Sequence, residues 1–494
     1  MGRINYRVKI NAVAKKDAFS YQANAVEAIR DLEYAAVFHE QGLGKTKIAI
    51  DTILYWISNE VVDTILIVTK KGLIQNWVDE IQEHTHITPK VLEQNKGKNY
   101  YVFNSPTRLI LAHFEVIESE FERFNLYLKT RDVGIVIDES AKIKNPSAKL
   151  TQCFHLLAPL FKKRIIMTGT PVANRPYDLW SQIYFLDQGR SLGSCFHDFK
   201  KNTDMPGNYP EAQEEYENQL AQIFDKIKVF SVRETKNSNI INLPQKVIER
   251  VEVDWEAHQY TLYRNVQEDL RAVVVKEGIL TEDKAEADLK RLLRLVQIAS
   301  NPQIIDESYT YEPGKFPVLE SQIEQITDQN EKCIVWTSFV ENANWLQKKL
   351  SRFQAVKVHG RMSIAERNKE IARFKHNDDV KVLVATPASA KEGLTLTIAN
   401  HVIFYDRTFS LDDYLQAQDR IHRISQARTC YVYNLIIPDS IDEWVDNLLA
   451  AKHLSAQLAQ GDISVGAYRK SIDYSYSQLI KEVLGIKDQE VLSD

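Results

Sequence analysis

The sequence predicts an α/β protein with two parallel-sheet lobes joined through a helical region, and three observations carry that reading. Short β-branched runs, each closed by a polar or Gly-containing turn and followed by a helical stretch, recur along the chain, as strands buried in parallel sheets do. In the first half they are Ala35 to Phe38, Thr64 to Thr69, Val133 to Ile137 and Arg164 to Met167; in the second, Cys333 to Trp336, Ala355 to Val358, Val380 to Ala385, His401 to Tyr405 and Cys430 to Ile437. Between these sets, from Trp255 to Ser300, apolar residues fall at helical spacing, as in Leu289, Leu292, Leu293 and Val296. Gly (17) and Pro (14) are each about 3% of 494 residues, below the usual roughly 7% and 5%, which leaves little material for long linkers or repetitive β-turns.

Turn formers place the joints. The stretch Asn237 to Gln245 (NSNIINLPQ) and a second break from Asp306 to Pro317 divide the chain into a first lobe (1–236), a linker with a helical insertion (237–312), a second lobe (313–450) and a helical tail (451–494). There is no internal repeat beyond the lobe duplication and no low-complexity segment. Lys plus Arg number 62 against 67 Asp plus Glu, a net charge of −5, so any nucleic-acid surface must be local rather than a bulk basic coat. Cys153, Cys195, Cys333 and Cys430 lie far apart with no Cys-x-x-Cys pair; a disulfide framework or structural zinc is not expected, and a reducing compartment is. Neither a secretory apolar core nor an uncharged apolar run of membrane-spanning length is present, so the expected setting is cytoplasmic, away from membranes.

The chemistry begins after the first strand. His39-Glu40-Gln41-Gly42-Leu43-Gly44-Lys45-Thr46 precedes a helix whose apolar face is Ile50, Ile53, Leu54 and Ile57. Gly42 and Gly44 let the backbone curl so that its N–H groups face phosphate oxygens, and the helix adds its positive end. Lys45 would reach the β and γ phosphates and Thr46 would ligate Mg²⁺, although His39 stands where the strict pattern has its first Gly. The buried-type strand Val133 to Ile137 then delivers Asp138 and Glu139 at its carboxyl end, the edge where α/β sheets place ligands. Two adjacent carboxylates there divide labour: Asp138 holds Mg²⁺, and Glu139 orients and deprotonates the attacking water.

Together GLGKT, DESAKIKNPSAK from Asp138, TGTPVANRPYDLW from Thr168 and QAQDRIHRISQ from Gln416 resemble the Swi/Snf-like branch of the superfamily two helicases, over about Tyr21 to Lys452. Further matches are Tyr21-Gln22, Asn76-Trp77 with Glu80, LLRLVQIASNP from Leu292, Val358-His359-Gly360, Glu366-Arg367 and Gly393 to Leu396. The resemblance implies two RecA-like lobes with ATP between them, Gln22 reading adenine, Gly393 and Gln416 lining the nucleotide site, and Thr168, Gly169 and Thr170 coupling it to DNA. Arg420 and Arg423, three apart and on one face if helical, would act as arginine fingers. The chain departs from the family at DESA, where Ala141 replaces a His, at Ser425 in place of a common Gly, and at AKEG from Ala390. The last is closer to the fork-remodelling and annealing subgroup and to compact bacterial or phage members.

Expected DNA-backbone contacts are Lys70 and Lys71 after the second strand, Lys142 and Lys144 after the carboxylates, and Lys391 with Thr395 in the second lobe. Such strand-end cations suit sequence-independent binding. The leading expectation is an ATP-driven translocase on double-stranded DNA. Alternatives are a strand-separating or strand-annealing helicase, and a nucleotide-dependent switch subunit docked to a protein partner in a larger DNA-processing complex.

Overall fold

A run such as Thr64–Thr69 (TILIVT) has no polar alternation, and a strand of that kind is stable only with both faces covered. The structure, a computed structural model, describes residues 10–203, 210–238, 243–276, 285–390 and 396–471. Among them, strands β1 (Tyr34–Val37), β2 (Thr64–Thr69), β3 (Lys90–Val91), β4 (Leu109–His113), β5 (Val133–Asp138), β6 (Lys163–Met167) and β7 (Ser231–Val232) form one sheet, ordered β3-β4-β2-β5-β6-β1-β7. A second sheet holds β8 (Lys246–Glu252), β9 (Cys333–Trp336), β10 (Val356–Val358), β11 (Val382–Ala385), β12 (His401–Phe404) and β13 (Cys430–Ile436), ordered β10-β11-β9-β12-β13-β8. Every pairing is parallel. No described helix is long and apolar enough to cross a membrane.

The chain divides into two units, each built on one of these sheets. The first comprises 10–203, 216–238 and Ala456–Val465. Its core packs Ile48, Ile53, Trp56 and Ile57 from the helix Lys45–Ser58 and Trp77 and Ile81 from the helix Ile74–His84 onto Ile65, Ile67, Leu111, Val136 and Ile165. The returning segment is tied down electrostatically: Asp462 accepts from Arg233 Nε (2.6 Å) and Nη2 (2.5 Å), and Arg233 Nη1 donates to the Phe38 carbonyl (2.7 Å) at the end of β1.

The second unit holds β8 to β13 and the helices Ala257–Lys276 and Ala285–Ser300. Its core gathers Ile334, Trp336, Phe374, Leu383, Val402 and Phe404. A buried polar network joins the helix end to the strand ends, with Asp406 accepting from Ser300 Oγ (2.7 Å), Thr337 Oγ1 (2.5 Å) and the Ser338 N–H (2.7 Å). The fully buried Lys315 is neutralised by Asp442 at 2.7 Å.

Every expected strand is present within one or two residues at its ends, and four further strands carry no clear signal in the sequence. β4 runs straight into the helix Phe114–Ser119 with no polar turn between them, so its apolar run reads as part of a helical texture. β8 falls in the stretch read as linker; it pairs with β13 over its whole length, and as an edge strand it is charged and half exposed, lacking the apolar run of a central strand. β3 and β7 are two-residue edge strands, too short for any periodicity.

Gly134 in β5 lies where a helix side chain closes tightly on the sheet. A Cβ there would lie 3.0 Å from Ile65 Cδ1 and 3.3 Å from the ring of Trp56, which is itself pinned by its Nε1 bond to the Arg30 carbonyl (2.7 Å). Gly134→Val should therefore destabilise the chain by about 1–3 kcal/mol, as overpacking does, read as a lower midpoint in urea or thermal unfolding. An unchanged midpoint would mean that this contact has slack.

Candidate nucleotide site

Four strand ends build the site. Val37 is opposite Met167, Met167 is opposite Asp138, and Val68 is opposite Ile137, so the chain leaves β1, β6, β5 and β2 at one edge of the first sheet. The turn after β1 passes through Gly42 (φ 85°) and Gly44 (φ 73°), both left-handed, a conformation that costs any other residue. Gly44 caps the helix Lys45–Ser58, and a Cβ on it would lie 2.2 Å from Gln22 Nε2. Gln22 Oε1 accepts the Phe19 N–H (3.0 Å), while the Tyr21 hydroxyl (2.9 Å) and Gln22 Nε2 (3.4 Å) both donate to the Leu43 carbonyl. The Tyr21-Gln22 pair thereby holds the glycine turn against the preceding helix, Ser20–Ile29.

Lys45 is buried, and its Nζ donates to the carbonyls of His39 (2.9 Å) and Glu40 (3.2 Å). Burial, and then the Lys45 ammonium, lower His39 to about 4, so the residue that replaces the motif's first Gly is neutral at ordinary pH. Thr46 follows in the first turn of the helix.

Asp138 ends β5. Its Oδ2 accepts from Trp77 Nε1 (2.8 Å) and Thr69 Oγ1 (3.1 Å); burial and the adjacent Glu139 raise its carboxyl above the usual carboxylate range, against the pull of those two donors. Trp77 is buried and also orients this carboxylate. Glu139 adopts φ 56°, ψ 50°, a left-handed conformation that costs a non-Gly residue about 1–3 kcal/mol and persists only where its surroundings hold it. Its Oε1 is 3.4 Å from Gln41 Nε2, and its Oε2 is 3.7 Å from Lys70 Nζ.

The turn after β6 lies directly on this arrangement. The Thr168 N–H donates to the Val37 carbonyl (3.2 Å) and the Thr170 N–H to Thr168 Oγ1 (3.2 Å). Gly169 approaches Gln41 so closely that a Cβ would meet its Cγ at 2.8 Å and its backbone N at 3.0 Å. Ala141 has no polar group to offer, but the residue before it does: Ser140 Oγ donates to Gln182 Oε1 (2.7 Å), and Gln182 Nε2 donates to the Pro171 carbonyl (2.8 Å). Both side chains are fully buried. Sequence reading missed Gln41, Ser140 and Gln182, because nothing local marks a contact that closes across 98 or 42 residues.

In the second unit the helix Leu411–Gln418 stops before the two arginines, which corrects the expectation of a shared helical face. Residues 419–425 form turns, held by Gln426, whose Nε2 donates to the carbonyls of Thr397 (3.2 Å), Ala399 (2.9 Å) and Ile421 (3.1 Å). Within them Arg423 Nε donates to the Asp419 carbonyl (3.0 Å), and the Arg420 carbonyl accepts the Leu396 N–H (3.0 Å). Gln416 is buried, its Nε2 donating to Asp412 Oδ1 (2.7 Å). Lys391, Gly393 and Thr395 lie outside the described residues. Among the other expected DNA contacts, Lys71 is exposed, Lys142 lies 3.9 Å from Glu115, and Lys144 is engaged by Asp178 at 3.0 Å.

Residues 21–304, more than half of the chain, match the SNF2-related domain. The chain belongs to the SNF2-related family. Residues 314–425 of this SNF2-related chain match the helicase conserved C-terminal domain. It is 27% identical over 451 residues to a Bacillus subtilis (strain 168) protein named as an ATP-dependent helicase/translocase, YwqA, covering 87% of this chain and 47% of that one. It is 24% identical over 481 residues to the Drosophila melanogaster ATP-dependent helicase brm, covering 90% and 29%. The chain thus spans less than half the length of the curated relatives it matches. Among solved structures, a Sulfolobus solfataricus SWI2/SNF2 ATPase core in complex with dsDNA is similar at 26% identity and TM-score 0.42, covering 94% of this chain and 99% of that one.

Trp77→Phe removes a donor that favours the ionised form of Asp138. Its carboxyl should then titrate higher still, and the acid limb of a pH profile for ATP hydrolysis should move toward higher pH. A superimposable acid limb would separate Asp138 from the step that limits activity at low pH.

Proposed function

We propose that this SNF2-related chain is a DNA-dependent ATPase that couples hydrolysis to movement along double-stranded DNA. The observation that carries the reading is the convergence of a left-handed glycine turn, a buried lysine and the Asp138-Glu139 pair on one edge of the first sheet. The turn's N–H groups and the N-terminus of the helix Lys45–Ser58 receive the phosphates. Lys45, already aimed at the turn by the His39 and Glu40 carbonyls, exchanges those acceptors for phosphate oxygens. Gln22, adjoining Gly44, contributes to base recognition.

Thr46 and Asp138 offer oxygen donors of the hard kind that suits Mg²⁺ and would hold it. When bound, the ion neutralises charge developing between the β and γ phosphates. Glu139 takes the proton of the attacking water. Of the second unit's residues, Gln416 and Gly393 line the nucleotide, and Arg420 and Arg423 supply positive charge to the transferring phosphoryl group. Thr168, Gly169 and Thr170 couple the site to DNA; through Gly169, packed on Gln41, this turn can pass a displacement to Glu139. Lys70, Lys71, Lys391 and Thr395 contact the DNA backbone, so binding is indifferent to sequence and its salt slope reflects only a handful of phosphates.

The deciding experiment measures ATPase rates without nucleic acid and with single-stranded, double-stranded and forked DNA, alongside displacement of a triplex-forming strand. Duplex-stimulated hydrolysis with ATP-dependent triplex displacement is expected; clean unwinding of the duplex would instead establish a helicase. Lys45→Ala should weaken nucleotide binding. Glu139→Gln should leave binding intact and slow turnover at least ~10²-fold, and Arg423→Ala should abolish DNA-stimulated hydrolysis. Near-normal turnover in Glu139→Gln would remove it as the base.

A further inference from the structure

Lys70 stands at the carboxyl end of β2 with its side chain 24% exposed, next to the exposed Lys71. Its Nζ lies 3.7 Å from Glu139 Oε2, and Gln41 Nε2 engages the other carboxylate oxygen. Each oxygen of Glu139 therefore has a protein partner, and although each oxygen keeps a further lone pair, the carboxylate is held in one orientation and is not free to turn toward an attacking water. The two partners differ in kind. Gln41 is buried between Glu139 and Gly169, where it has little room to leave. Lys70 sits at the solvent boundary on a long flexible side chain, and its ammonium is the sort of group a phosphodiester captures.

We propose that Lys70 is a cation shared between Glu139 and the DNA backbone: without DNA it restrains the base, and a backbone phosphate at the end of β2 draws it away and frees Oε2. The left-handed turn at Glu139 makes such a two-position device effective. The strained backbone fixes where the carboxylate starts, so its state depends on which side-chain contacts are made. DNA binding and hydrolysis are then linked because one ammonium cannot serve both anions, and phosphate binds the state in which Glu139 is released. Lys70 acts in this way as a positioning residue, through Glu139 rather than on the nucleotide. This rests on the reading of the chain as a DNA-dependent ATPase with Glu139 as its base.

The test compares full-length wild type, Lys70→Gln and Lys70→Arg for kcat and KM of ATP hydrolysis with and without duplex DNA. Duplex affinity is measured by fluorescence anisotropy at the same salt, and thermal unfolding confirms that each variant is folded. Lys70→Gln should raise the DNA-free kcat about fivefold or more, the lower end of ordinary coupling between sites. It should leave the KM for ATP unchanged, bring the DNA stimulation ratio close to one and weaken duplex binding. Lys70→Arg, which keeps the charge, should retain a low DNA-free rate and its stimulation by DNA. A purely structural role would not speed the DNA-free reaction. A DNA-free kcat in Lys70→Gln at or below wild type, with duplex affinity reduced, would make Lys70 a plain phosphate contact and overturn the proposal while leaving the DNA-dependent ATPase reading intact. A raised DNA-free kcat with unchanged duplex affinity would also overturn it, since no phosphate would then compete for Lys70. Wild type that duplex DNA fails to stimulate would overturn the reading beneath it.

Discussion

Parallel strand alignment is the constraint on which the rest of the first unit depends. With β2, β5, β6 and β1 side by side and pointing the same way, four loops far apart in sequence are delivered to one edge, and each needs only a few residues to meet its neighbours. The loop after β1 supplies Gln41 to Lys45, that after β5 supplies Glu139 and Ser140, that after β6 supplies Thr168 to Thr170, and that after β2 supplies Lys70. The apolar core beneath, which packs the helices Lys45–Ser58 and Ile74–His84 on that sheet, keeps these strand ends in register. It thereby holds contacts that would be worth little if the loops were free to fluctuate.

The site is costly to hold and is placed where the fold can bear it. Asp138 is half-buried with its carboxyl raised, Glu139 is left-handed, and Ser140 and Gln182 are polar side chains with no solvent exposure. Each cost is offset by a specific partner: Trp77 and Thr69 for Asp138, Gln41 and Lys70 for Glu139, and the Pro171 carbonyl for Gln182. Buried polar networks of this kind confer geometry more than stability, because a single lost partner leaves another group unsatisfied. The chain of contacts from Gly169 through Gln41 to Glu139, and from Pro171 through Gln182 to Ser140, joins the turn after β6 to the carboxylates by two routes. Ala141 itself contributes no polar group to this junction.

Much of the architecture is legible in the sequence because central strands of parallel sheets are apolar on both faces and are closed by turns. β2, β5, β9 and β12 meet both conditions and stand out. The elements that stay hidden fail one of them: β4 passes into a helix without a turn signal, and β8 carries the charges of an edge strand. Local chemistry behaves likewise. Gly42, Gly44 and Lys45 are contiguous, and their need for left-handed backbone at a helix N-terminus is written in the residue types. The turns that carry Arg420 and Arg423 are not, because Gln426 decides them by bonding to carbonyls as distant as that of Thr397.

The sequence by itself determined the two sheets, the glycine turn before Lys45, the carboxylate pair at the end of β5 and the order of motifs that places the chain in its family, because these follow from periodicity and from short contiguous runs. Only the tertiary structure decided that Trp77 holds Asp138, that Gln41 and Lys70 divide the two oxygens of Glu139, and that Ser140, beside the apolar Ala141, is joined to Gln182. These are pairings between side chains on different strand ends. The sequence records each residue, whereas the distance between two of them exists only once the strands have aligned.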